Sequence, residues 1–136
     1  MNIHQLPLTP FRTPFFLANP HVQTILPKFI KLPKPNYQRH LHSDRTGTTQ
    51  VAYDFVFANT DNQPNLDKPL AVMFHGLEGS SDSHYAIAFA HQAHRLGYDA
   101  VIVHFRGCGG VDNTSELDYN AGDTAEAVHM FNLLKT

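Results

Sequence analysis

Two short apolar runs, Leu70–Phe74 and Ala100–Val103, flank one amphipathic stretch, and no other pattern constrains the fold of this chain so strongly. The first run is continuous, as expected of a strand covered on both faces. From about Ser83 to Leu96, the residues Tyr85, Ala86, Phe89, Ala90, Ala93 and Leu96 share one helical stripe. Gly97 then stands where a helix C-cap belongs. Asp99–Phe105 reads as a second strand, broken by Arg106-Gly107-Cys108-Gly109-Gly110. Upstream, Tyr37–His42 can form a strand, and Ser43-Asp44-Arg45-Thr46-Gly47 supplies turn chemistry. Gln50–Phe57 alternates with period two: Val51, Tyr53, Phe55 and Phe57 on one face, Ala52, Asp54 and Val56 on the other. Asn59–Pro69 is a polar loop. A last helix begins near Asp123, with Glu126 as its capping partner and Ala127, Val128, Met130, Phe131 and Leu134 inward. A β-hairpin followed by β-α-β, a loop and a helix predicts an α/β fold with a mixed, mostly parallel sheet and flanking helices.

Seven of the nine prolines lie between Pro7 and Pro35. Their fixed φ and missing N–H argue against long regular elements there. Residues 1–35 are therefore read as a Pro-rich irregular arm, and residues 36–136 as the α/β domain. Phe11, Phe15, Phe16, Leu17, Ile25, Leu26, Phe29 and Ile30 call for burial, so the arm is expected to lie across the domain. Its prolines spoil the amphipathic helix that membrane contact would require. The formal net charge of −2 gives no field for gathering phosphates, so nucleic acid is not an expected partner. No 18-residue apolar window suggests a membrane span, and no basic-then-apolar leader is evident. The lone cysteine, Cys108, fits a reducing compartment, and the reading is a cytoplasmic protein.

The loop after the first apolar strand holds the chemistry. His75-Gly76 lets the chain turn sharply, since glycine tolerates backbone angles that a side chain would block. The next amide, on Leu77, can then point over the sheet's carboxyl edge. A donor fixed there before reaction stabilises a tetrahedral oxyanion by roughly 3–4 kcal/mol. On the His-Gly dipeptide alone, a plain glycine-containing βα turn remains the alternative.

Phe74-His75-Gly76-Leu77-Glu78-Gly79-Ser80, followed by His104-Phe105-Arg106-Gly107-Cys108-Gly109-Gly110, resembles the YheT-type esterases of the α/β-hydrolase superfamily, the AB hydrolase-4 family. Asn19-Pro20-His21-Val22-Gln23-Thr24-Ile25-Leu26-Pro27 is similar to the opening signature of that group, and Tyr119-Asn120-Ala121-Gly122-Asp123 to a later stretch. Four matches in order cover nearly the whole chain. The resemblance implies the N-terminal part of an α/β-hydrolase fold, small-molecule ester substrates, and hydrolysis through an acyl-serine without a cofactor. In that fold the serine sits on a G-x-S-x-G elbow, and the triad follows in the order serine, acid, histidine. Ser43, Ser80, Ser81, Ser83 and Ser115 are the serines here, and none lies in such an elbow. The chain therefore reads as a truncated hydrolase with no triad, inactive alone. It carries an oxyanion loop of His75, Gly76, Leu77, Glu78 and Gly79, with Arg106 and Gly107 structuring the neighbouring loop. Two other readings stand beside it. One is a subunit of a split hydrolase completed by a complementary C-terminal chain; the other is a non-enzymatic α/β module binding a ligand or metal through histidines.

Substitutes for the triad are poorly supported. His104 and Asp99 end and begin one strand, too far apart to hydrogen-bond. Ser80 and Ser81 stand where serines usually cap helices. Cys108 beside Arg106 could be an activated thiol, but nothing identifies a paired histidine, so an incidental role is preferred. Arg106 fits better as a loop anchor using carbonyl or carboxylate partners. His84, His91 and His94 spread over about 15 Å of helix, too far for one ion, and His40 and His42 share one side of a strand; no metal site is assigned. A sheet cut after the last helix would expose an unpaired strand edge, which predicts association or low solubility.

Overall fold

The computed structural model of the chain describes residues 10, 12–59, 61, 63–64, 66–120 and 122–135. It divides at Lys31/Leu32 into two compact units. Within the first, a 3-10 turn at Phe15–Leu17 precedes helix α1, Pro20–Phe29. This corrects the expectation of an irregular arm. Pro20 occupies the first helical turn, where its missing N–H removes no helical bond, and the Asn19 side chain accepts from the His21 amide at 2.9 Å. Pro27 falls close enough to the end that the helix stops two residues later. Phe11 lies outside the described residues, and α1 contains no buried residue.

The second unit is built on a four-stranded sheet in the order β1-β2-β4-β3: β1 Gln38–Ser43, β2 Gln50–Val56, β3 Leu70–Phe74 and β4 Asp99–Val103. β1 and β2 form the antiparallel hairpin, with Gln38 opposite Phe55 and Ser43 opposite Gln50. β4 runs antiparallel to β2 and parallel to β3, placing Phe74 beside Val103. The sheet is mixed, and among the described strands the parallel part is the β3–β4 pair. Helix α2, His84–Arg95, makes the crossover between them, and helix α3 spans Thr124–Leu133. All five β4 residues are buried, as befits a strand paired on both edges.

The helix faces differ from the sequence reading. On α2 the buried side chains are Ala86, Ala90 and Ala93, whereas Tyr85 and Leu96 are exposed. Small side chains let the helix approach β4 closely, and the larger ones flank the contact. On α3 the buried pair is Met130 and Glu126, while Val128 and Phe131 are exposed. A charged residue displaces the apolar ones because Arg106 waits for it inside. Val51, Tyr53, Val101, Val103, Phe105 and Met130 form the core cluster. Among the described residues, no helix is long and apolar enough to cross a membrane.

Candidate active site

Both parallel strands end at one edge of the sheet, and the loops leaving them line a cleft of about 660 Å³. Leu77 to Asp82 form one wall, and Arg106 to Gly110 with Asn113, Asp118 and Tyr119 form the other. The first wall begins with a tight turn in which the Gly79 amide donates to the Gly76 carbonyl at 2.9 Å. Gly76 takes no left-handed angle; Glu78 does, with φ +56. The sharp bend is thus carried by a side-chain-bearing residue, which corrects the role assigned to Gly76. A non-glycine residue held in that region is strained, and such strain gathers at functional sites. Gly79 is glycine for lack of space, since an added Cβ would meet the Gly76 carbonyl and His75 Cβ at 2.9 Å. Leu77 projects into solvent at 80% exposure, and its amide donates to no other described residue.

Below the turn lies a buried polar network. Asp54, in the middle of β2, takes two parallel bonds from Arg39, Nε to Oδ1 and Nη2 to Oδ2, both 2.7 Å. Its Oδ2 also accepts from Ser81 Oγ at 2.5 Å. Burial pushes the Asp54 carboxyl pKa up, but the bonds from Arg39 and Ser81 outweigh it and hold the group below the usual carboxylate range. His104 Nδ1 lies 3.0 Å from the Ala52 carbonyl, which can only accept, so Nδ1 carries the proton. Nε2 then accepts the Ser81 amide at 3.1 Å. Burial is the main influence on His104 and leaves its pKa below the ordinary imidazole value, despite the opposing pull of Asp54 and the Ala52 carbonyl. His75 repeats the arrangement at the end of β3: Nδ1 faces the Gly76 carbonyl at 2.8 Å, and Nε2 accepts the Phe105 amide at 3.4 Å. Tyr37 Oη donates to the Ser81 carbonyl at 2.9 Å. Arg39 Nη1 donates across to the Gly109 carbonyl at 2.7 Å, joining the two walls.

Ser81, Asp54 and His104 have triad chemistry but not triad wiring. The serine gives its proton to the carboxylate rather than to the imidazole, and the imidazole is spent on an amide. Ser81 is 3% exposed, beyond reach of a substrate carbonyl. The helix-start capping expected of Ser80 and Ser81 is absent: Ser83 occupies the N-cap of α2, and its Oγ accepts from the Ser80 amide at 3.1 Å. Asp99 sits apart from His104 and accepts from the Ala58 amide at 2.8 Å.

Arg106 turns into the protein. Its Nε meets Asp44 Oδ2 at 2.7 Å, Nη1 meets Asp123 Oδ2 at 3.2 Å, and Nη2 binds Glu126 Oε2. Burial favours the neutral form of Asp44, yet bonds from Thr46, Arg106, Thr49 and Thr48 leave its carboxyl well below the ordinary range. With its guanidinium spent on carboxylates, Arg106 does not activate Cys108, whose thiol pKa is raised by burial. Asp54, Arg39, Asp44 and Glu126 escaped the sequence reading as site residues. The available signal was a carboxylate at Asp54 within a strand apolar on both faces, since a buried charge requires a partner. Among the described residues, no group of three or more His, Cys, Asp or Glu side chains could hold a metal ion. His91 Nε2 is engaged with the Pro33 carbonyl at 2.7 Å, and His40 and His42 stack at 6.5 Å.

No protein-family model matches the chain. It is 36% identical over 115 residues to YheT of Escherichia coli (strain K12), whose name assigns it provisionally to the esterases; the alignment covers 81% of this chain and 32% of that protein. It is 29% identical over 114 residues to an abhydrolase domain-containing protein of Dictyostelium discoideum, covering 82% and 28%. With the embryogenesis-associated protein EMB8 of Picea glauca it shares 25% identity over 122 residues, covering 86% and 27%. The chain thus spans about a third of the length of these curated relatives. Among solved structures, an alpha-beta serine hydrolase homologue from Coxiella burnetii matches with a TM-score of 0.55 at 14% identity, covering 77% of this chain and 48% of that one.

Proposed function

We infer that this chain, which belongs to the α/β-hydrolase superfamily, contributes the oxyanion-stabilising wall of an ester-hydrolysing site whose serine, acid and histidine come from a segment beyond these 136 residues. The observation that carries this reading is the Leu77 amide: unspent on any described residue, on a tight turn, at the rim of the cleft where two parallel strands end. Amides of this kind act by meeting charge that develops in the transition state, and they need no rearrangement when it appears. The substrate class is a small-molecule carboxylic ester, and the chemistry asks for no cofactor. Among the described residues, Ser81 cannot supply the nucleophile, since it is buried and its proton is committed to Asp54.

The test uses the geometry of the turn. Leu77 is the second residue of the Gly76–Gly79 turn, a position where proline is favoured. Leu77→Pro therefore deletes the N–H while preserving the bend. In a chimera joining this chain to the remaining two-thirds of YheT, wild type should hydrolyse short acyl esters. Leu77→Pro should lower kcat about 10²–10³-fold, as expected for loss of an oxyanion donor. An unchanged kcat would refute the assignment, and turnover by the 136-residue chain itself would refute the need for an added nucleophile.

A further inference from the structure

The downstream end of the oxyanion loop is held by an imidazole lone pair. Ser81 closes the loop, and its amide ends on His104 Nε2, while its hydroxyl ends on Asp54. His104 is fully buried and its Nδ1–H is fixed by the Ala52 carbonyl. A proton added to this ring can go only to Nε2, where it would confront the Ser81 N–H. Asp54 Oδ2 lies 3.7 Å from Nε2 and offers the charged ring an alternative partner, one now bound to the Ser81 hydroxyl. The amide and hydroxyl bonds of Ser81 therefore depend on the same proton, whereas the bond from Tyr37 Oη to its carbonyl does not.

We propose that His104, working with Asp54, is a positioning residue that keeps the Leu77–Ser81 wall docked while its imidazole is uncharged, and that its protonation releases the wall. The functional consequence rests on the Leu77 amide being the oxyanion donor; the docking itself does not. The groups facing His104 come from each neighbouring element: Asp54 from β2, Arg39 from β1, and the His75 ring, 5.3 Å away at the end of β3. The wall formed by Gly107 to Gly110 brings no charge, only the backbone of Gly109 against the ring. Asp54 attracts a protonated His104, whereas Arg39 and His75 oppose it, and burial opposes it most. Because the folded pKa lies below the ordinary 6.5, the docked wall is fully stabilised above that value. The stabilisation is lost as pH falls from there through the lowered folded pKa.

Hydrogen-exchange mass spectrometry on the 136-residue chain, at concentrations low enough to limit association, reads this directly. Exchange at the His104 ring carbon reports its titration, and amide exchange reports residues 75–83 beside β4 as an internal reference. With intrinsic pH effects divided out, protection of 75–83 should fall at least about tenfold across the His104 titration, the worth of one buried hydrogen bond left unmade. Protection of 99–103 should hold. His104→Gln keeps an acceptor where Nε2 stands, and the Ala52 carbonyl retains the residue 104 amide at 2.9 Å. This variant should match wild type at neutral pH and lose the pH response, whereas His104→Ala should leave the loop unprotected throughout. A loop indifferent to the His104 titration, a simultaneous loss in β4, or an undiminished pH response in His104→Gln would each overturn the proposal. A loop that releases on schedule, with Leu77→Pro harmless in the chimera, would instead sink only the oxyanion assignment.

Discussion

A Cβ added at Gly109 would lie 2.4 Å from His104 Cδ2, and the backbone there has φ +66. Gly110 has a similar φ, +79, yet a Cβ there would meet nothing within 4 Å. The pair separates two costs that usually arrive together. Gly110→Ala pays only for the left-handed backbone, about 1–2 kcal/mol. Gly109→Ala adds the displacement of a buried ring and should cost about 2–5 kcal/mol in all. Denaturant unfolding of the two variants measures both, and equal losses would show that the His104 contact is not tight. Glycines at these positions are plain in the sequence, but their reasons are not. One answers to dihedral angle alone and the other also to a ring delivered from the end of β4. The same limit hid Asp54. Its place on β2 was legible, whereas its partners Arg39, Ser81 and His104 come from 15, 27 and 50 residues away in sequence.

At the scale of elements, the local capping signal was read well at α3 and misplaced at α2, where Ser83 rather than Ser80 or Ser81 takes the N-cap. The Asp123–Glu126 pair marks the start of α3, and Asp123 Oδ1 does accept the Glu126 amide at 3.0 Å. Asp123→Ala should cost about 1–2 kcal/mol through the lost cap, while Asp123→Asn, which caps as well, should recover most of it. Thermal unfolding distinguishes them; an equal loss in both would mean that the Arg106 contact matters more than the cap. The amphipathic faces were read less well because an apolar stripe assumes that charge stays outside. Glu126 is fully buried, bound to Arg106 and accepting from the Arg45 amide, and this rotates α3 so that Phe131 remains 44% exposed. In α1 the failure ran the other way. Proline was counted as a breaker when its position at Pro20 made it a starter.

For the unit from Leu32 to Thr136, the sheet leaves β3 paired on one edge among the described residues, and α3 carries exposed Val128 and Phe131. An open strand edge beside apolar surface favours association. Size-exclusion chromatography of the isolated chain should show oligomers or loss of material with rising concentration, and a sharp cooperative unfolding of a monomer would contradict this. The strand–helix–strand order, the hairpin and the loop that bends at the sheet's carboxyl edge were determined by the sequence alone, because periodicity and turn chemistry act between near neighbours. Tertiary structure decided which polar side chains went inside. A buried charge is tolerable only with its partners in place, and the partners of Asp54, Arg106 and His104 are assembled from separate strands and loops once the sheet has formed.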